Sequence, residues 1–179
     1  FLAPSILSQN SADYLKTPYF FAISEDSDFT FSPRFYSDQK NIYQGEFRKV
    51  KKNSKHIFDA SIKNENAFLT KKNSSQSHFF SKSTIETNFE LFDFSKIDIQ
   101  FQSVSNDDYL KLNDISSPIM NSKNTLNSKI EFEGSRDDIE FSLNSEIYED
   151  LSKENSSDKY EFILPNFSLS KILETNFDG

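Results

Sequence analysis

Hydrophobic and polar residues alternate along most of this chain with a period of two. From Asp138 to Tyr148, Ile139, Phe141, Leu143 and Ile147 fall on one side, and Glu140, Ser142, Asn144 and Glu146 on the other. Ile97, Ile99 and Phe101 alternate with Asp98, Gln100 and Gln102, and Phe29, Phe31 and Phe35 alternate with Thr30, Ser32 and Arg34. Ile85, Phe89 and Leu91 alternate with Glu86, Asn88 and Glu90, and Ile130 and Phe132 with Glu131 and Glu133. Successive side chains of a strand point to opposite faces, so this is the pattern of strands with two unlike faces. Few stretches show a sustained helical repeat.

The pattern predicts about ten strands, near residues 1–8, 13–23, 28–37, 42–52, 55–65, 78–92, 96–105, 125–134, 138–150 and 159–170. Short connections (24–27, 52–54, 93–95, 134–137) alternate with longer polar ones (9–12, 38–41, 66–77, 106–124, 151–158). Short turns at one end and longer loops at the other describe an antiparallel up-and-down meander. The strands are longer than those of most sandwiches and near the span of a tilted membrane strand. The fold class expected is therefore all-β, an antiparallel meander forming part of a transmembrane β-barrel.

Composition narrows the reading. The chain has 179 residues, a hydrophobic fraction of 35% and a net charge of -8. Its mean hydropathy of -0.64 leaves room for disorder, but 20 Phe and 7 Tyr oppose it. The acidic balance argues against nucleic acid as a partner, because phosphate binding wants a basic stripe. Lys49, Lys51, Lys52 and Lys55 form the one basic cluster and read as a solvated loop flank. Cysteine is absent, and His56 and His78 lie far apart in sequence. A metal centre, a cofactor site or a Ser-His-Asp triad is thus poorly supplied, and none is expected. No apolar run is long enough for a membrane helix, which leaves a barrel open. The chain begins at Phe1 rather than Met and reads as an excerpt of a longer protein, with 1–179 a single region of it.

If the strands cross a membrane, their charged positions must face water, since a charge in hydrocarbon costs about 2–4 kcal/mol at the midplane. Arg34, Glu46, Arg48, Glu86, Asp98, Glu131 and Glu140 are the lumen-facing candidates. On a soluble sheet the same residues would be its solvated face. Glu131 and Glu133 share a strand face and could mimic a general acid/base pair, but so many similar alternations argue against catalysis there.

Three prolines interrupt the first three strands: Pro4, Pro18 and Pro33. Proline supplies no ladder donor and is normally kept out of central strands.

Residues 1–48 resemble the start of the barrel domain of the LPS-assembly protein (LptD, Imp/OstA, organic-solvent-tolerance) family. The resemblance rests on Phe1-Leu2-Ala3-Pro4-Ser5, Pro18-Tyr19-Phe20-Phe21-Ala22-Ile23, Asp28-Phe29-Thr30-Phe31-Ser32-Pro33-Arg34 and Gln44-Gly45-Glu46-Phe47-Arg48. Phe stands where the family's second strand has Tyr and Trp, Ala22 where it has Asn, and Lys49 where Tyr is usual. Beyond Lys52 only the strand-and-loop rhythm matches.

The resemblance implies the N-terminal part of a large outer-membrane barrel in a Gram-negative bacterium. It implies a translocon, not an enzyme, that inserts lipopolysaccharide into the outer leaflet through a lateral gate. The partners it implies are lipopolysaccharide, an LptE-type lipoprotein plug, and the periplasmic Lpt bridge reached through a domain outside this chain. Pro4 and Pro18 match the prolines that weaken the family's barrel seam; Pro33 receives no role. Two alternatives stand beside it: a soluble periplasmic or surface β-protein that binds a ligand, and another outer-membrane barrel such as a porin or receptor.

Overall fold

The computed structural model describes residues 3–9, 12–37, 41–64, 75–154 and 156–171. Phe1 and Leu2 of the resemblance, and parts of the connections expected at 9–12, 38–41 and 66–77, lie outside the described residues.

The period-two segments form one antiparallel sheet of eleven strands. In chain order these are β1 (Ser5–Gln9), β2 (Ala12–Lys16), β3 (Tyr19–Ser24), β4 (Ser27–Tyr36), β5 (Ile42–Lys51) and β6 (Ser54–Asn64). They continue as β7 (Ser75–Thr87), β8 (Phe94–Val104), β9 (Thr125–Arg136), β10 (Ile139–Asp150) and β11 (Tyr160–Lys171). Neighbours in sequence are neighbours in space, except that β2 and β3 both pair with β4, end to end. The sheet is open, with β1 and β11 at its two edges. Two one-turn helices, α1 (Tyr109–Leu112) and α2 (Ser156–Lys159), lie in the longer connections.

The expected meander is the observed architecture, with three corrections. The strand expected at 13–23 is two strands, because Thr17 and Pro18 leave the ladder. The strand expected at 78–92 ends at Thr87, so Phe89 and Leu91 belong to a connection and not to the alternation. Residues 106–124, expected as a polar loop, hold four of the nine buried hydrophobic residues among those described. Tyr109, Leu110, Ile115 and Ile119 pack there with Ile42, Phe80, Leu126 and Leu151.

That cluster explains why the loop folds back. Burying a large aliphatic or aromatic side chain is worth about 1.5–3 kcal/mol. The sheet itself cannot supply such burial, since its apolar residues stand on an uncovered face. The chain therefore builds its small core by laying one connection over a few apolar residues of the opposite face, Ile42, Ile57 and Phe80 among them.

The connection between β7 and β8 does the reverse at the short-turn end. Phe92 lies over Gly134 of β9 and meets Phe132 and Phe141 at ring-centre distances of 5.4 and 6.3 Å. A methyl on Gly134 would come within 2.7 Å of the Phe92 ring. Gly134→Ala should lift that ring and cost about 1–3 kcal/mol, the usual range for overpacking. A urea titration of the complete protein would read it as a lower midpoint; an unchanged midpoint would show that the ring moves freely.

Candidate functional site

Strand registers sort the side chains into two faces. Phe47 opposes Phe58, Ile99 opposes Ile130, and Leu143 opposes Phe132 on one side and Phe167 on the other. These rows, with Phe35, Ile62, Phe79, Phe101 and Ile147, make an apolar face on which, among the described residues, charges such as Asp13, Lys49 and Glu149 stand only within two residues of a strand end. The face is bare: Ile130 is 54% exposed and Phe167 71%.

The opposite face carries every lumen candidate. Arg34 lies beside Ile42, and Glu46 lies between Thr30 and Asp59. Arg48 opposes Asp28, Glu86 opposes Lys96, Asp98 opposes Glu131, and Glu140 opposes Ser135. Cations are interleaved with the carboxylates. Arg48 Nε sits 2.9 Å from Asp28 Oδ1 and 3.5 Å from Glu46 Oε1. Lys96 Nζ sits 3.1 Å from Asp98 and 2.9 Å from Glu133, and Lys129 Nζ 2.8 Å from Glu131. Glu131 and Glu133 are thus each paired with a lysine. Glu86 and Glu140 are exposed near the short-turn end.

The prolines meet in one row. Lys16 opposes Arg34 and Tyr19 opposes Phe31, so one register runs through the break between β2 and β3. That register sets Thr17 against Pro33 and Pro18 against Ser32. Thr17 N–H donates to Pro33 O at 3.2 Å, and Ser37 N–H to Asp13 O at 3.0 Å. Odd-numbered residues of β2 therefore turn their backbone groups toward β4, and even-numbered ones toward β1.

Each proline then removes a donor from a different interface. Pro33 deprives the Thr17 pair of its second bond. Pro18 lacks the donor that would face the β1 side, and the β1–β2 ladder stops at Ser5 opposite Lys16. Ser5 faces β2, so Pro4, one residue earlier, lacks its donor on the free edge of the sheet. Continued by one step, the β1–β2 register places Pro4 beside Thr17. Thr17 and Pro33 thus share one level, with Pro4 just beyond the start of β1 and Pro18 one step further along. Pro33, without a role in the sequence reading, belongs to the same interruption as Pro18.

The polar face is covered at its long-loop end by residues 105–124, and buried polar side chains hold that cover. Arg34, 2% exposed, donates from Nη1 to Asn113 O at 2.6 Å. Its Nη1 and Nη2 also reach Asp114 O, each at 3.3 Å. Gln44 Nε2 donates to Ser116 O at 2.9 Å and to both Asp59 oxygens at 3.0 and 3.2 Å. Gln102 Nε2 donates to Ile119 O at 3.0 Å. Ser61 Oγ lies 2.7 Å from Tyr109 OH and 2.6 Å from His78 Nδ1. Burial inside this cluster pushes the Tyr109 phenol pKa up, partly offset by its hydrogen bond with Ser61.

Ser61, His78 and Asp59 come together although their spacing did not suggest it. Ser61 and His78 are directly opposed on β6 and β7, and Asp59 Oδ2 lies 3.5 Å from His78 Nε2. The serine hydroxyl is shared with Tyr109 and lies under the loop. The arrangement therefore ties loop to sheet, and each bond to a buried partner is costly to leave unmade. The signal in the sequence was partial: Gln44, Asp59, Ser61 and His78 all stand at polar positions of the alternation, but nothing local marked them as covered.

No known family model matches this chain, and no curated protein matches it.

Proposed function

We propose that this chain is a wall segment of an outer-membrane barrel that delivers lipopolysaccharide to the outer leaflet. The observation that carries the reading is the inversion of the sheet. Its apolar face, charged only near strand ends, is bare away from the Phe92 contact, while its charged face holds the folded-in loop. A soluble sheet buries its apolar face against a second layer; a barrel wall presents it to hydrocarbon. Strands of ten to thirteen residues from β4 onward suit a tilted crossing.

The ordered motifs over residues 1–48 favour the lipopolysaccharide exporter over a porin or receptor. So does the proline row at the free edge, where a closing strand would pair with β1. Each missing donor forgoes about 0.5–1.5 kcal/mol of net ladder energy. The seam beside Pro4 and Pro18 is then the weakest line of the wall, where acyl chains leave sideways while the sugar stays in the wet lumen. An LptE-type lipoprotein would lie against the polar face, and the periplasmic Lpt bridge would load the lumen from the short-turn side. No covalent step is involved, so the protein acts as a translocon without a cofactor.

The test uses the complete protein in its own envelope. Pro4→Val with Pro18→Val restores both donors and should slow arrival of lipopolysaccharide at the surface by roughly tenfold. Normal surface lipopolysaccharide with unchanged detergent sensitivity in the double variant would sink the gate. A complete protein that remains in the aqueous phase would instead favour the soluble β-protein.

A further inference from the structure

The hairpin formed by β1 and β2 is weakly attached to the rest of the sheet. It pairs with β4 at three ladder positions, Tyr14 with Tyr36, Leu15 with Phe35 and Lys16 with Arg34, flanked by the Ser37-to-Asp13 and Thr17-to-Pro33 backbone bonds. Immediately below lies the proline row, where β2 ends. The hairpin therefore sits above a line of missing donors, held to the sheet by this short ladder.

Two of those pairs converge on Arg34. The Tyr14 ring, 5% exposed, packs on Tyr36 at 4.7 Å, and the Arg34 guanidinium lies over the Tyr14 ring at 5.7 Å. The third position sets Lys16 directly against Arg34, a like-charge pair that opposes strand pairing. What steadies the arginine comes from the folded-in loop, through the carbonyls of Asn113 and Asp114.

The loop also supplies the neutralising charge. Asp114 is held by Lys123, whose hydrogen bond lowers its carboxyl pKa; burial opposes this, and Arg34 and Lys16 add smaller downward pulls. A carboxylate near both cations offsets their mutual repulsion. The start of the loop is fastened separately, by Lys159 Nζ at 2.9 Å from both Asp107 oxygens and 3.0 Å from Glu149 Oε1.

We propose that the loop at residues 105–124 holds the β1–β2 hairpin against the sheet through Arg34, so that withdrawing the loop from the polar face loosens the hairpin about the proline row. With the loop in place, Arg34 is anchored, its charge is balanced, and Tyr14 keeps its platform. With the loop withdrawn, the guanidinium loses its carbonyl partners and faces Lys16 uncompensated. Arg34 acts here as a positioning residue. The proposal rests on the reading of this edge as the gate: it adds that material bound in the lumen, by displacing the loop, would itself release the seam.

The experiment is hydrogen exchange on the complete protein, following the backbone amides of 13–16 against those of 141–145 in β10. Arg34→Gln, and replacement of 106–123 by a Gly-Ser linker, should each speed exchange at 13–16 by about tenfold, the scale of a lost hydrogen bond to a charged group. Both should leave the amides of 141–145 in β10 unchanged. The two changes combined should do no more than either alone, since both break one connection. Additive effects, or an effect of Arg34→Gln without one from the linker, would overturn the coupling and leave Arg34 a local support. The readout is independent of export. Faster exchange with normal export under the proline substitutions would refute the gate reading alone. Slowed export with unchanged exchange would refute the coupling alone.

Discussion

Ile130→Arg should prevent stable insertion of the complete protein, at a cost of about 2–4 kcal/mol. Ile130 lies within β9, opposite Ile99, on the bare face. On a membrane wall its side chain meets hydrocarbon, and an arginine there must drag water or headgroups inward. On a soluble sheet the same residue already meets water, and the exchange would fall within about 0.5 kcal/mol. The two settings therefore differ by several-fold in the expected effect. The fraction of heat-modifiable, membrane-extracted protein measures insertion, and a urea midpoint in lipid bilayers measures the energy. Glu131→Gln, the next residue and on the other face, is the control and should change either quantity little. A neutral Ile130→Arg would remove the membrane wall from consideration.

Phe80→Ala should cost about 3–5 kcal/mol, the usual range for a fully buried aromatic. Phe80 is 0% exposed, and its ring centre lies 4.6 Å from that of His78. It is the largest side chain that the sheet contributes to the small core, so its loss leaves a cavity beneath Leu110 and Tyr109. The loop can respond only by sinking or detaching. We expect detachment, because Ser61, Gln44 and Arg34 fix it at three separate carbonyl or hydroxyl positions and prevent a collapse. Limited proteolysis should then cut within 105–124, and the urea midpoint should fall. A drop below about 1 kcal/mol, with the loop still protected, would mean that the cover does not depend on this core.

The two variants probe opposite faces of one wall. The first alters what the sheet presents outward; the second alters what it holds inward. Their combination should be additive, since the sites are on different faces and share no partner. The Arg34 and linker changes should not be additive, because they act on one contact.

How much of this was legible beforehand follows from the range of each interaction. Strand alternation is a local property, so Phe141, Leu143 and Ile147 announced their face without knowledge of their neighbours. Seven charged candidates, from Arg34 to Glu140, share a face because a consistent register carries that parity from strand to strand. Proline chemistry is local too, so Pro4, Pro18 and Pro33 were recognisable as missing donors. Which interface each one interrupts is a matter of pairing, and pairing is not local. Two of the misreadings have a similar origin. Phe89 and Leu91 continue the period of β7, but the packing of Phe92 on Phe132 turns the chain first. Residues 106–124 look polar on average, yet Tyr109, Leu110, Ile115 and Ile119 are spaced irregularly and reveal a core only when folded back.

Residue order alone specifies an antiparallel meander with one apolar and one charged face, its turn rhythm, and three absent ladder donors near the N-terminal edge. Those follow from side-chain parity and covalent geometry, which each residue carries alone. The tertiary structure decided the rest. It brought Thr17 opposite Pro33, folded 105–124 over the charged face, and brought Arg34 to the carbonyls of Asn113 and Asp114. The distance in sequence is the physical reason. Arg34 and Asn113 are 79 residues apart, and no periodicity in either segment specifies that they meet. Their contact accompanies the small core in which Tyr109 and Leu110 bury apolar surface against Ile42 and Phe80.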